Sequence, residues 1–229
     1  MILNKGDHDI LYPFGDFIYR GKLNEDEIAW IQNLAEKSRD SNDASDHLVG
    51  NMKDQRRPDP NPDTQKFIKI FHPHILNYHK HLQEKTKVYL ENSYDEVSGF
   101  SKFMNADLNT MRYRLQIGMW FNYMKANEFN PVHAHNGEIS AICMVKIPEE
   151  IKKELDNPGP GRQNFKMAGK LEFIGVSANE APYQVTSETG YVYLFPANMR
   201  HQVYPFHSDV ERITSSWNYV NIEMDQKKS

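Results

Sequence analysis

Two histidines one residue apart, His133 and His135, stand in "NPVHAHNGEIS" (residues 130–140), with Glu138 three residues further on. In an extended strand, residues i and i+2 face the same way. If His133 begins a strand, His135 lies beside it and both imidazoles can bind one metal ion. Imidazole nitrogen suits iron, zinc, copper and nickel. A histidine pair alone is weak evidence, because histidines also serve on surfaces and in cores. A third histidine sits in "GYVYLFPANMRHQVYPF", where a strand runs into the turn "PANMR" and His201 opens the next strand. Eleven residues later Arg212 opens "RITSSWN", in which Arg212, Thr214, Ser216 and Asn218 share one strand face. Such a polar face is ordinary for an exposed strand. An arginine and a hydroxyl two apart also make a good fork for a carboxylate.

Strands must carry these residues, and the back half of the chain supplies them. "MRYRLQIGMWFNYMK", "ISAICMVKI", "KLEFIGV", "YQVTS", "YVYLFP", "HQVYPF" and "ERITSSWNYVNIEM" alternate or are rich in aromatic and β-branched residues. The turn signals "DNPGPG", "SANEAP", "SETG" and "HSDV" separate them. The front half reads as helix. "NEDEIAWIQNLAEKSR" opens with Asn24 and carries Glu27 three residues later, the pattern of a capping box. Ile28, Ile31, Leu34 and Ala35 then share a face. Thr64 to Glu91 forms a second helix with Phe67, Ile68, Phe71, Ile75, Tyr78 and Leu82 at helical spacing. The expected fold class is α+β, mainly β: an antiparallel sandwich or barrel with N-terminal helices packed on one side. One domain spans 1–229. Residues 1–100 are its helical part, with a long polar, proline-rich loop at 40–63. Residues 101–224 are the β core, interrupted by an insertion at 148–168 that is placed to cover an open barrel end.

Composition narrows the function classes. The 229 residues are 39% hydrophobic and 25% charged, which is ordinary globular usage. A formal net charge of -4, with no basic tract beyond "QRRP", gives nucleic-acid or membrane-surface binding no electrostatic support. No apolar run approaches the roughly 18 residues of a membrane span. "MILNKGDHDI" lacks the pattern of a signal peptide. Cys143 is the single cysteine, which excludes an internal disulfide framework and fits a reducing cytosol. Its apolar setting marks it as a buried small hydrophobe. "FHPHILNYHKHL" places His72 with His79, and His74 with His81, two turns apart on helix faces; these read as solvated. "NPGPGRQN" lacks the lysine and hydroxyl of a phosphate loop. "NEDE" suits a helix N-terminus. There is no nucleophile elbow.

The strings "WFNYMKANEFNPVHAHNGEIS", "GKLEF", "GYVYLFPANMRHQVYP" and "ERITSSWN" resemble, in order and spacing, the iron(II)- and 2-oxoglutarate-dependent oxygenases. In particular they resemble the type encoded by marine T4-like phages and marine bacteria, as does "DASDHLVGNMKDQ" in the long loop. The resemblance covers roughly residues 40–222. It implies a double-stranded β-helix, or jelly roll, with Fe(II) and 2-oxoglutarate as cofactors. It also implies molecular oxygen, a small-molecule or peptidyl substrate, and a place in the cytoplasm of a bacterium or phage-infected cell. A homodimer is allowed but not required. Carried over by position, His133 and His201 match iron ligands, Arg212 matches the arginine for the far carboxylate of 2-oxoglutarate, and Thr214 matches a second contact to it. Asn122 and Tyr123 lie on a strand that lends polar contacts to the cosubstrate. Alternation lets one of the two face inward and does not say which.

The family pattern has a carboxylate two residues after the first histidine; here the residue is His135. His135, Glu138 or water then fills the third position. Strand geometry favours His135, since Glu138 needs a bend. Glu138 gives a spacing close to the cupin signature, and Gly190, Pro196 and His201 fit the second cupin motif, with Asn198 where glycine is usual. A cupin-like metalloenzyme without 2-oxoglutarate, or a non-catalytic jelly-roll binding module, are the competing expectations.

Overall fold

The computed structural model describes residues 2–4, 8–14, 16–45, 48–58, 64–91, 105–157, 159, 166–175, 180–185 and 187–227. Most of the turn "NPGPGRQN" and parts of the 40–63 and 148–168 segments therefore lie outside the described residues.

Three strands come first: β1 (Ile2–Asn4), β2 (His8–Phe14) and β3 (Asp16–Lys22). Helix α1 (Glu25–Lys37) follows, capped as its sequence predicts. The Asn24 side chain accepts from the Glu27 N–H at 3.0 Å, and the Glu27 carboxylate accepts from the Asn24 N–H at 2.9 Å. Two short strands, β4 (Asn42–Asp43) and β5 (Gln55–Arg57), precede the long helix α2 (Thr64–Glu91). The core then runs β6 (Arg112–Met124), β7 (Asn130–His133), β8 (Ile139–Lys146), α3 (Glu149–Asp156), β9 (Leu171–Ile174), β10 (Tyr183–Val185), β11 (Tyr191–Pro196), β12 (Arg200–Val203) and β13 (Arg212–Glu223).

These strands form two antiparallel sheets. The larger has the order β1-β2-β3-β11-β8-β13-β6-β5-β4, the smaller β10-β9-β12-β7. From β6 onward the chain crosses repeatedly from one sheet to the other, and among the described strands only β9 and β10 are consecutive in the same sheet. This is the winding of a double-stranded β-helix. Ile142, Met144, Tyr193 and Phe195 of the large sheet meet Leu171, Phe173 and Val185 of the small one in the space between them.

The other face of the large sheet is covered by the helices. Along β6, Met119, Phe121 and Tyr123 point to the helices while Trp120, Asn122 and Met124 point between the sheets. Along β13, Ile213, Trp217 and Tyr219 take the helix side and Arg212, Thr214, Ser216 and Asn218 the inner side. Both faces are covered, so the burial of β13 does not alternate. Trp217 is fully buried, with Phe67 and Phe71 of α2 at 5.3 and 4.6 Å between ring centroids. Truncating such a residue costs about 3–5 kcal/mol. Among the described residues no helix is long and apolar enough to cross a membrane.

The first 100 residues are less helical than expected. β1–β3 extend the large sheet beyond β11, with Arg20 opposite Tyr193, and β5 pairs with β6 at the other side. The α2 histidines are not solvated: His79 and His81 are buried. The His74 ring meets the Tyr19 hydroxyl at 2.8 Å, and His81 meets the Tyr12 hydroxyl. In the 148–168 insertion, Ile151 of α3 packs with Ala168, Phe206, Met52 and Met124. The Glu154 carboxylate accepts from the N–H groups of His207 and Ser208, tying α3 to the turn before β13.

Candidate metal centre

His133 ends β7 and His201 is the second residue of β12, and the two are directly paired across the small sheet. His135 lies past the end of β7, so a turn, not strand alternation, places it. Its N–H donates to the Ala197 carbonyl at 2.8 Å, and the Ala197 N–H donates to the Glu138 carbonyl at 3.1 Å. This lacing fixes the 134–138 turn against the turn that leads to His201. Gly137 makes the passage possible: a Cβ there would sit 3.0 Å from the Tyr219 carbonyl and 3.1 Å from the Asn218 Cβ.

The three rings converge. Their centroids are 4.2 Å (His133–His201), 4.9 Å (His133–His135) and 5.2 Å (His135–His201) apart. One nitrogen from each lies within 4.8 Å of the others. Among the described residues no other three histidine, cysteine or acidic side chains gather in this way. The His133 Nδ1–H donates to the Pro131 carbonyl at 2.7 Å, and the His201 Nδ1–H donates to the Met199 carbonyl at 2.9 Å. A carbonyl can only accept, so each ring carries its proton on Nδ1 and keeps the Nε2 lone pair for the centre of the cluster. Burial drives all three pKa values down, that of His135 to about 4, and mutual repulsion adds to the shifts of His135 and His201. The rings are therefore neutral at pH 7, the form that binds metal. Phe195 stands 4.9 Å from His201 and Trp120 6.3 Å from His135, an apolar surround.

The same cavity, about 330 Å³, is lined by Arg212, Thr214, Ser216 and Asn218. Arg212 is buried. Its Nη2 reaches only the Met144 sulfur at 3.6 Å and the Ser187 hydroxyl at 3.4 Å, and its Nε has no partner. Among the described residues no carboxylate pairs with it, and desolvation lowers its pKa to about 10. A buried cation left so is costly unless an anion joins it. Asn122 faces this cavity: its amide donates to the Thr214 hydroxyl at 3.2 Å and accepts from Gln55 Nε2 at 2.8 Å. Tyr123 does not. It sits on the helix side, donating to the Ala35 carbonyl under the Arg39 guanidinium. Glu138 also points elsewhere, its carboxylate accepting from the Ile222 N–H at 3.0 Å.

Gln55, Trp120 and Asn130 join the cavity wall without having been singled out in the sequence. Gln55 sits in a polar loop where no periodicity marks an inward position. Trp120 and Asn122 share a strand face, so fixing either one inward would have fixed the other.

Residues 118–218 match the family model described as "Putative 2OG-Fe(II) oxygenase". No curated protein matches the chain. Solved structures with a similar overall course include a prolyl-4-hydroxylase from Pseudomonas putida (12% identity, TM-score 0.49, covering 89% of this chain and 91% of that one). Another is a prolyl hydroxylase from Trichoplax adhaerens in complex with a hypoxia inducible factor peptide fragment (13%, 0.49, 96% and 86%). A third is HygX from Streptomyces hygroscopicus with nickel, 2-oxoglutarate and hygromycin B bound (10%, 0.46, 91% and 83%). Over its jelly-roll segment, residues 118–218, the chain resembles the iron(II)- and 2-oxoglutarate-dependent oxygenases.

Proposed function

We propose that the protein is an iron(II)- and 2-oxoglutarate-dependent oxygenase that hydroxylates a C–H bond. The carrying observation is one cavity that holds both three converging neutral histidines and a buried arginine that no carboxylate among the described residues pairs with. The residues fit the groups they would hold. His133, His135 and His201 would hold iron(II) through the ring nitrogens that face one another. Arg212 and Thr214 would clasp the distal carboxylate of 2-oxoglutarate, and Asn122 would orient the Thr214 hydroxyl. Together the bound groups supply the oxidising chemistry: 2-oxoglutarate, oxygen and R–H become succinate, carbon dioxide and R–OH.

The chain's own part is positioning. The Pro131 and Met199 carbonyls lock two rings in the ligating tautomer. Trp120, Phe173 and Phe195 give the cluster an apolar side. The third position falls to His135, since the Glu138 carboxylate is engaged at Ile222. A three-histidine set adds no negative charge, so the cation keeps its full attraction for an anionic cosubstrate. A cupin-like reaction without 2-oxoglutarate leaves the buried Arg212 without a role.

The test is anaerobic titration with iron(II) and 2-oxoglutarate. The expected result is a visible charge-transfer band, followed by succinate once oxygen is admitted. Absence of the band with both present refutes the reading.

A further inference from the structure

The cavity wall carries information about what enters it. Its size, about 330 Å³, is at the low end of small-molecule sites, about 300–1,000 Å³, and the cosubstrate proposed above takes part of it. Little more than one side-chain-sized group fits beside it. The described residues lining it include no aspartate, glutamate or lysine. Once Arg212 is paired with a carboxylate, a charged substrate group would be buried without a partner, which is strongly unfavourable. Gln116, Asn130, Asn136 and Asn218 instead offer uncharged amides.

The mouth is different. Val49, from the loop between β4 and β5, is 59% exposed, and Ile117, from β6, is 37% exposed; both line the opening. Asn51 fastens the Val49 loop, its N–H donating to the Phe129 carbonyl at 2.9 Å. Ile117 is held in an unusual way. Its φ is +52°, followed by Gly118 at +81°, in a bulge where residues 117–119 of β6 stand opposite Trp217 of β13. The left-handed region is unfavourable for a β-branched residue, and glycine or asparagine would sit there with less strain. Strain of this kind points to a role in binding. The bulge leaves an aliphatic side chain at the rim of a cavity that a second exposed aliphatic, Val49, also lines, where water gains nothing from either.

We propose that the substrate is a peptide segment that inserts one uncharged side chain into the cavity and rests apolar flanking residues on the rim made by Val49 and Ile117. This rests on the oxygenase reading above. A group small enough to enter wholly would leave the rim unused, and an acyl chain would leave the wall amides unpaired.

The test uses the full chain with iron(II) and 2-oxoglutarate, and blocked synthetic peptide pools as probes. One pool has an uncharged central residue between apolar flanks; a second has Lys, Asp or Glu at the centre; a third has polar flanks. Succinate release and gain of one oxygen atom by the peptide are measured. The first pool is expected to stimulate turnover at least about tenfold more than the others. Ile117→Gly and Ile117→Asn, which both accept the backbone angle, are expected to raise the half-saturating peptide concentration about tenfold. Their unfolding midpoints should not fall, and Ile68→Ala, an exposed aliphatic on α2, should behave as wild type. A purely structural role for Ile117 predicts unchanged peptide saturation, and that result overturns the proposal. So does equal stimulation by the charged pool, or stimulation by small uncharged metabolites but by no peptide. If the charge-transfer band forms and no peptide stimulates, this inference alone fails; if the band itself is missing, the oxygenase reading fails and this inference with it.

Discussion

Two groups of histidines are partly or fully buried in this molecule, and they differ in whether their rings converge. On α2, His72 and His74 meet the hydroxyls of Tyr113 and Tyr19 at 3.2 and 2.8 Å, His81 meets Tyr12, and the His79 Nδ1–H donates to the Ile75 carbonyl at 3.0 Å. Each ring finds its own partner, and seven-residue spacing spreads them along one helix. In the candidate metal centre, His133, His135 and His201 come from separate turns and strand ends and point at a common spot. Burial depresses pKa values in both groups. What distinguishes a ligand set is therefore neither burial nor the number of histidines. It is whether the fold brings the rings together on one spot, as it does for His133, His135 and His201. His133 and His201 use the same device, a bond from Nδ1 to the carbonyl two residues earlier.

The sharpest way to break this contrast is to swap the losses. His201→Ala should weaken iron(II) binding by at least about 100-fold, measured by anaerobic titration, because it removes a ligand and not only a ligand's support. His79→Ala should leave iron affinity unchanged while lowering stability. Equal effects on iron binding would dissolve the distinction.

A somewhat smaller effect belongs to the anion side of the cavity. Arg212→Gln should cost about 2–3 kcal/mol in 2-oxoglutarate binding, roughly 30- to 150-fold, with iron affinity retained. Arg212→Lys should recover little of it, since an ammonium lacks the planar fork. The change in the charge-transfer band with 2-oxoglutarate concentration measures both.

The smallest effect concerns the α2 group. Burial, with some repulsion from His8, lowers the His74 pKa from 6.5 to about 4. The folded state then binds fewer protons than the unfolded chain between those values. Its stabilising contribution is complete above about pH 6.5 and is lost as pH falls toward 4. Urea unfolding of the metal-free protein at several pH values should show this decline, with a shallower slope in His74→Phe. Tyr19→Phe should cost about 1 kcal/mol at pH 7.

Much of the β core could be read from the sequence, because β6 and β13 are long and alternate while β8 and β11 are apolar runs rich in aromatic or β-branched residues. The first three strands could not. "HDILYPF" and "DFIYRGK" are separated in the sequence by the single residue Gly15 and join the sheet through β11, far along the chain. That gap caused a second one. The α2 histidines read as solvated because nothing in the sequence announced the strands whose Tyr12, Phe17 and Tyr19 cover them. In the candidate site, type and spacing single out His133, His201, Arg212 and Thr214, and the fold brings all four to one cavity. The choice between Asn122 and Tyr123 does not, because both faces of β6 are apolar enough to be buried. Gln55 was hidden for a different reason: its strand is three residues long and forms through pairing with β4 and β6, and its own neighbours are charged.

The placement of β1–β3 also bears on how the chain reaches this state. They are made well before the strand they join, β11, and Arg20 must wait for Tyr193. Closing so long a loop is entropically slow, and high contact order slows folding. Until then an unfinished chain presents bare strand edges at its front, where a second copy can pair instead. A nascent chain stalled before residue 191 is therefore expected to be the species most prone to aggregation, and a chaperone holding the first 22 residues would have the most to protect.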